Sequence, residues 1–271
     1  MLGALLGDLA ACTFKQDRQC FERELVGDDA FFSDKGLMAL ATADALVVRG
    51  ACTVPLFKTV AKEYYATRDK EKVHYPKWFD YWCSLDDAGH PFDSDDGMSL
   101  PMCCIAAPFD NDLSVNLHHQ MLCGKASGYA AHYFTFIIQM IKSGKSKHEI
   151  FLDERIEMLP MWIEKGSFGE DNFNAIQSLI LAWIAFDLGY DFTSTIKHAA
   201  HISAQADTRV VTMMAATMAE NFYSIDVRKL PFPKHIREKY RDLFAKFMEF
   251  DTNDRVRYRI LDELIATHGF K

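Results

Sequence analysis

Apolar residues recur every three or four positions along most of this chain, which is the spacing of one face of an α-helix. Alternation with period two, which is typical of half-buried strands, is almost absent. No fixed-period repeat and no shift in composition marks an internal boundary. The sequence therefore predicts an all-α fold, a single compact domain of about ten helices spanning residues 1–271. The predicted helices are 2–13, 34–49, 55–66, 76–84, 113–142 (one helix or two abutting ones), 147–158, 171–187, 191–204, 207–223, 234–249 and 254–267.

Small polar residues mark the ends of several predicted helices. Gly50 closes the second helix in the manner of a C-cap. Ser146 is placed to cap the helix that follows it, and Thr193 to cap near the start of its own helix. The strongest break in the helical pattern is the stretch 85–97, which is rich in Asp, Gly, His and Pro and predicts a loop.

Composition and charge narrow the classes of function. Hydrophobic residues make up 49% of the chain, enough for a large core, and the formal net charge is -8. This acidic balance disfavours a broad grip on nucleic acid or on an anionic membrane. No apolar run reaches the ~20 residues that a membrane-spanning helix needs. The seven cysteines are irregularly spaced and the apolar start carries Asp8 without a basic leader, so we expect free thiols and a cytoplasmic protein.

Three segments, in this order, resemble the ADP-ribosylglycohydrolase family. The sequence GALLGD at 3–8 is similar to the family's Gly-xxx-Gly-Asp start. The sequence FFSDKG at 31–36 stands where the family has an aromatic residue and Thr-Asp-Asp-Thr. The sequence SAQADT at 203–208 stands where the family has Gly-Gly-Asp-Thr-Asp-Thr. The resemblance covers roughly 2–235 and implies the family's helical fold and hydrolysis of ADP-ribosyl N- or O-glycosidic bonds.

The resemblance also implies two Mg²⁺ ions, held by Thr, Asp and Asp of the first motif and by Asp, Asp and Thr of the last. In the first motif, Ser33 stands at the Thr position and Asp34 matches the first Asp. Lys35 stands where the second Asp belongs, and Gly36 replaces the following Thr. One carboxylate ligand is therefore exchanged for a cation.

The last motif is altered in the same direction. Gln205 stands at the first Asp, whereas Asp207 and Thr208 match the final pair. Arg209 follows, where small polar residues are usual. In the middle of the chain, Gly97 and Ser99 correspond to part of a Gly-rich segment that lines the family's ligand cleft.

These exchanges change the charge that a metal would meet. The family motifs offer four carboxylates, whereas this chain offers two and adds one ammonium. The ligand charge therefore becomes less negative, from about -4 to about -1. We therefore expect no two-metal catalysis and no cofactor, with magnesium implied by the resemblance alone. Ser33, Asp34, Asp207 and Thr208 remain as candidate metal ligands. We hypothesise that the Lys35 ammonium occupies a former metal position and bonds to Asp34 and Asp207.

Each candidate residue also has a structural explanation. Asp34 would interact favourably with the dipole of its helix, and Lys35 could point to solvent. Asp207 with Thr208 could cap the helix 207–223. Gln205 and Arg209 could be surface residues.

Three functions remain open, and the sequence leaves the enzyme question undecided. The first is a divergent hydrolase with reduced or lost magnesium-dependent activity, acting on an ADP-ribosylated substrate. Asp34 and Asp207 would be catalytic, and the expected ligand-binding residues are Ser33, Lys35, Gln205, Thr208, Arg209, Gly97 and Ser99. The second is a pseudoenzyme that binds ADP-ribose or a related nucleotide without cleaving it. The third is a helical scaffold or regulatory protein with a vestigial cleft.

Overall fold

The computed structural model describes residues 1–14, 21–50, 54–75, 77–85, 100–109, 125–153, 173–203, 207–223, 225–226 and 229–249. All regular secondary structure within these ranges is helical, which confirms the predicted all-α class. The helices are α1 (Leu2–Phe14), α2 (Asp34–Ala43, continued by a π-helical turn at Asp44–Val48), α3 (Val54–Ala66), α4 (Lys77–Ser84), α5 (Leu100–Ala106), α6 (Lys125–Lys142), α7 (Lys147–Phe151), α8 (Phe173–Leu188), α9 (Phe192–Ile202), α10 (Thr208–Phe222) and α11 (Lys234–Lys239).

Most helix bounds lie close to the predicted ones, with two corrections. The helix predicted at 147–158 ends at Phe151, because Leu152 already forms its C-cap. The helix predicted at 234–249 is interrupted at Tyr240, and a second helical stretch continues over 241–249. The helix at 254–267, most of the loop at 85–97 and the first part of the helix at 113–142 lie outside the described residues.

The helix caps confirm one prediction and correct another. Ser146 caps α7 in a capping box, since its hydroxyl accepts from the Glu149 N–H and the Glu149 carboxylate accepts from the Ser146 N–H. The cap predicted at Thr193 is wrong. Asp191 caps α9, with its Oδ1 accepting from the Ser194 N–H at 2.6 Å. Aspartate and threonine are both good N-cap residues, so the spacing alone did not separate them.

The core is built around α1 and α10, which pack against each other along their length. α10 also packs against α5, α6, α8 and α9. A Cβ on Gly7 would lie 2.6 Å from the Thr212 carbonyl oxygen, and one on Gly3 would lie 2.8 Å from the Ala216 carbonyl oxygen. The absence of side chains at Gly3 and Gly7 therefore lets the two helix backbones touch, which places the start of α10 beside the end of α1.

No helix in the described part of the chain is long and apolar enough to cross a lipid bilayer.

Candidate functional site at the starts of α2 and α10

The two helices that carry the altered motifs begin side by side, and each is capped by a motif residue. Ser33 is the N-cap of α2, and its hydroxyl accepts from the Gly36 N–H at 3.1 Å. Asp207 is the N-cap of α10, where its Oδ1 accepts from the N–H groups of Arg209 at 3.1 Å and Val210 at 3.5 Å. The capping role expected for Asp207 is therefore confirmed, and it leaves the second carboxylate oxygen, Oδ2, for another partner.

Lys35 links the two helix starts. Its ammonium lies 3.3 Å from Oδ2 of Asp34 and 3.1 Å from Oδ2 of Asp207. The ion pairs expected from the sequence are thus present, and the alternative that Lys35 points to solvent is wrong, since its side chain is only 12% exposed. Burial by itself lowers the pKa of Lys35, but the carboxylates of Asp207 and Asp34 outweigh it and raise the pKa. The amine therefore stays charged at neutral pH.

Arg209 supplies a second cation. Its guanidinium lies 3.6 Å from Oδ1 of Asp34, and its side chain is largely buried rather than on the open surface. Asp34 is thereby placed between Arg209 and Lys35, and it is itself buried. Together with Asp207, these side chains form a cluster of two carboxylates and two cations. We call Asp34, Lys35, Asp207 and Arg209 the ionic cluster.

The remaining predicted residues divide into two groups. Ser33 is buried beside the cluster, and Thr208 makes a long hydrogen bond, 3.5 Å from its hydroxyl to the Ser203 carbonyl oxygen. Gln205, Gly97 and Ser99 lie outside the described residues.

Asp8, which the sequence did not single out for the site, anchors the start of α2. Its fully buried carboxylate accepts from the Ser33 N–H at 2.8 Å and from the Ser33 hydroxyl through a short hydrogen bond. A Cβ on Gly36 would lie 2.1 Å from Oδ2 of Asp8, so glycine makes room for this carboxylate.

Burial raises the pKa of Asp8 to about 6, although the charge of Arg209 and the hydrogen bonds from Ser33 act in the opposite direction. The available signal in the sequence was a single carboxylate in the otherwise apolar helix LGALLGDLAA, which requires a buried partner.

The described residues do not fit two magnesium ions. Mg²⁺ needs anionic oxygen ligands, and both carboxylates of the ionic cluster are already paired with cations. The Lys35 ammonium contacts Oδ2 of both Asp34 and Asp207, so it occupies the two carboxylate oxygens that would be needed to hold a metal here. Two dications added to this neutral cluster would find only the carboxylate of Asp8, which is buried and bonded to Ser33, as further negative charge among the described residues.

A cavity of about 670 Å³ reaches the cluster at Arg209. Its walls are formed by the end of α1, the loop at 23–31 and Lys72. The ionic cluster is therefore next to a space that a small molecule could enter.

Comparison with solved structures shows the same fold in another protein. The chain matches one chain of an "ADP-ribosylglycohydrolase-related protein complex" with a TM-score of 0.63, covering 90% of this chain and 94% of that chain. The two sequences are 16% identical, so the match shows an ADP-ribosylglycohydrolase-like helical fold and nothing finer. No protein-family model matches the chain, and no curated protein matches it in sequence.

Proposed function

We propose that this chain binds ADP-ribose, or a closely related ADP-ribosyl group, beside the ionic cluster and has lost magnesium-dependent hydrolysis. The fold supports the class of ligand, because it is shared with an ADP-ribosylglycohydrolase-related protein. The observation that carries the proposal is the Lys35 ammonium held between Asp34 and Asp207. Those two carboxylates stand at positions where the family resemblance places metal ligands.

A metal at this site would first have to displace the ion pairs of Lys35. A pair of unit charges at this separation is worth about 4 kcal/mol at the intermediate dielectric of a partly buried site. Lys35 makes two such pairs, and its amine needs no octahedral set of oxygens. On this proposal Asp34 and Asp207 hold the cations in place instead of acting in catalysis. Ser33, Thr208 and Arg209 remain our proposed ligand contacts.

Metal-independent hydrolysis of an ADP-ribosyl bond is the second candidate. Asp207 favours it, because its side chain is 35% exposed and a water molecule could reach it. Both of its oxygens already have partners, however, since Oδ1 accepts from amides of α10 and Oδ2 faces Lys35. We therefore place binding ahead of hydrolysis.

Calorimetric titration with ADP-ribose, with and without Mg²⁺, tests the proposal, together with an assay for ADP-ribose release from a modified protein. We expect saturable binding that is equal in both buffers, and no release. The variant Arg209→Gln should bind more weakly. Lys234→Gln serves as the control, because that side chain is exposed and pairs only with Glu238 among the described residues.

Two results would contradict the proposal in different ways. Silence in the titration argues against binding and favours the scaffold or regulatory role. Release of ADP-ribose that requires Mg²⁺ shows that the ionic cluster still admits metals.

A further inference from the structure

Exposed apolar side chains are concentrated where α7 meets the end of α8. Of the ten large hydrophobic residues that are exposed in the described part of the chain, five lie on these two helices or directly after them, each between 40% and 80% exposed. We call these five the α7–α8 patch: Phe151, Leu152, Ile184, Leu188 and Tyr190. Side chains of this size and exposure present roughly 500 Å² of apolar surface, near the upper end of what a monomer usually shows.

Lys147 joins the two elements that carry the patch. Its ammonium donates to main-chain carbonyl oxygens in the last turn of α8 and to that of Gly189, so the start of α7 lies against the end of α8. Phe151 follows Lys147 by one helical turn, and Ile184 precedes Leu188 by one turn. The apolar side chains therefore extend to both sides of one junction.

The turn that carries Tyr190 is held in place. The Gly189 carbonyl oxygen also accepts from the Tyr223 hydroxyl at 2.6 Å, and the Tyr190 N–H donates to the Ser194 hydroxyl at 3.0 Å. A Cβ on Gly189 would lie 2.1 Å from the Thr195 hydroxyl oxygen, so this turn packs tightly on α9. A tyrosine that is exposed on a fixed turn loses little freedom on binding, which suits it to the centre of an interface.

The charged residues around the patch differ between its two elements. Lys145 is exposed in the turn before α7, whereas Asp187 and Asp191 are exposed at the end of α8 and in the turn after it. Glu149 also lies on α7, but its carboxylate is engaged by the Ser146 cap. A two-fold axis through the patch would set the basic side of one copy against the acidic side of the other. An anionic membrane would instead meet the two aspartates, which disfavours it as a partner.

The junction beneath the patch is at the far end of α10 from the ionic cluster. The Lys147 ammonium lies 5.7 Å and 5.4 Å from the ring centres of Phe222 and Tyr223, where α10 ends, whereas the ionic cluster is at its start. A helix of this length separates the two by about 20 Å. A partner on the patch would therefore leave the cavity beside Arg209 open.

We propose that two copies of this chain associate through the α7–α8 patch as a two-fold dimer. Leu188 and Tyr190 lie at the centre, and Lys145 of each copy faces Asp187 of the other. The apolar patch with its polar rim approaches the ~800 Å² per partner that a stable interface buries. A two-fold contact uses the same surface on both copies, so it closes at two chains and leaves no patch exposed.

Sedimentation velocity of the full chain over a range of concentrations tests the dimer. We expect a monomer–dimer equilibrium for the wild type. Leu188→Asp and Tyr190→Asp should each weaken the dimer at least about a hundredfold, because every substitution enters the interface twice. Tyr81→Asp is the matched control, since it makes the same change at a tyrosine that is 67% exposed on α4. Thermal unfolding of every variant checks that the fold is retained.

A charge exchange tests the two-fold arrangement. Lys145→Glu and Asp187→Lys should each weaken the dimer at least about tenfold, because each alone sets like charges against each other. An equimolar mixture of the two variants should recover it, since each new charge then faces an opposite charge on the other chain. A role of either residue in the fold of its own chain would not produce this recovery.

A wild-type chain that stays monomeric at every concentration overturns the proposal. Co-sedimentation of that monomer with vesicles of anionic lipid would then assign the patch to a membrane, and a monomer that ignores the vesicles would leave the patch to a different protein. A dimer of unchanged affinity in folded Leu188→Asp and Tyr190→Asp also overturns the proposal, because association would then use another face. A mixture that fails to recover the dimer overturns the two-fold pairing of Lys145 with Asp187.

Discussion

Lys35 and Arg209 surround the buried Asp34 carboxylate at 3.3 and 3.6 Å, and Lys35 also reaches Asp207 at 3.1 Å. Two single positive charges therefore neutralise two carboxylates at the start of α2 and α10. An ammonium is a compact point charge that tolerates varied geometry, whereas Mg²⁺ demands near-octahedral oxygen ligands. The exchange at residue 35 changes both the charge and the coordination that the site can offer.

Lys35→Asp should create a divalent-metal site. Without metal, the variant places carboxylates together and loses both ion pairs of Lys35, so we expect a loss of about 3 kcal/mol in the free energy of unfolding. Mg²⁺ or Mn²⁺ should restore much of this stability, because a ligand that binds only the folded state raises the melting temperature. Thermal unfolding across a metal titration measures the effect.

The double variant with Lys35→Asp and Asp207→Asn is the control for that experiment. It removes one carboxylate and should respond much less to metal. A metal response of Lys35→Asp that is no larger than that of the double variant would show that Asp207 is not part of the new site.

Asp8 should make stability depend on pH. Its folded pKa of about 6 lies above its usual value of 3.8, so folding takes up a proton and this group gains stability as the pH falls from 6 to 4. The gain is about 3 kcal/mol at most for this difference in pKa. Urea unfolding of wild-type protein and Asp8→Asn at several pH values isolates the contribution. Parallel pH profiles for the two proteins would contradict the assignment.

The residue-level prediction from sequence succeeded for Lys35 and missed Asp8. Lys35 follows Asp34 and stands where the family resemblance places a second Asp, so its ion pairs could be expected from charge. The partner of Asp8 is Ser33, 25 positions away, and nothing in the local pattern of α1 indicates that contact. The pairing of Arg209 with Asp34 likewise depends on how α10 is placed against α2.

At the scale of helices, the close contact of α1 and α10 positions the whole site. Gly3 and Gly7 lie on the face of α1 that touches the α10 backbone. Asp8, the residue after Gly7, accepts a hydrogen bond from the N–H of Ser33, the N-cap of α2. The sequence predicted both helices within a residue of their observed bounds, because their apolar periodicity is strong. It did not predict their contact distance, because periodicity identifies a buried face but not its neighbour.

Gly7→Ala should lower the free energy of unfolding by about 2 kcal/mol, since the added methyl group would lie 2.6 Å from the Thr212 carbonyl oxygen and push the helices apart. Gly27→Ala is the control, because its methyl group would meet the flexible Asp29 side chain at 3.1 Å and the Thr13 side chain at an ordinary contact distance of 3.7 Å. Chemical denaturation measures both. Equal losses in the two variants would mean that the α1–α10 contact is not as tight as described.

At the scale of the whole molecule, the fold is ADP-ribosylglycohydrolase-like while its ionic cluster is already neutral. The all-α class could be predicted from the sequence because apolar residues recur at helical spacing along most of the chain. The cavity could not be predicted, because its lining comes from three distant stretches of the chain, near residues 12–31, 72 and 209.

The melting temperature of the wild-type chain should be the same in Mg²⁺ and in EDTA. A resident metal stabilises a folded protein by mass action, and a cluster with balanced charge gives a dication no net attraction. Differential scanning calorimetry under both conditions measures this. A clear rise in the melting temperature with Mg²⁺, but not with a monovalent salt of equal ionic strength, would contradict it.

The contact of Gly3 and Gly7 with α10 has a consequence for recognising distant relatives of this chain. The same short helix fixes the spacing of α10 and, through Asp8, the position of α2. Any protein with this arrangement of helices meets the same steric demand, whatever residues stand at the starts of α2 and α10. We therefore expect a glycine pair followed by a buried acid in other proteins of this fold, whatever residues stand at their acidic motifs.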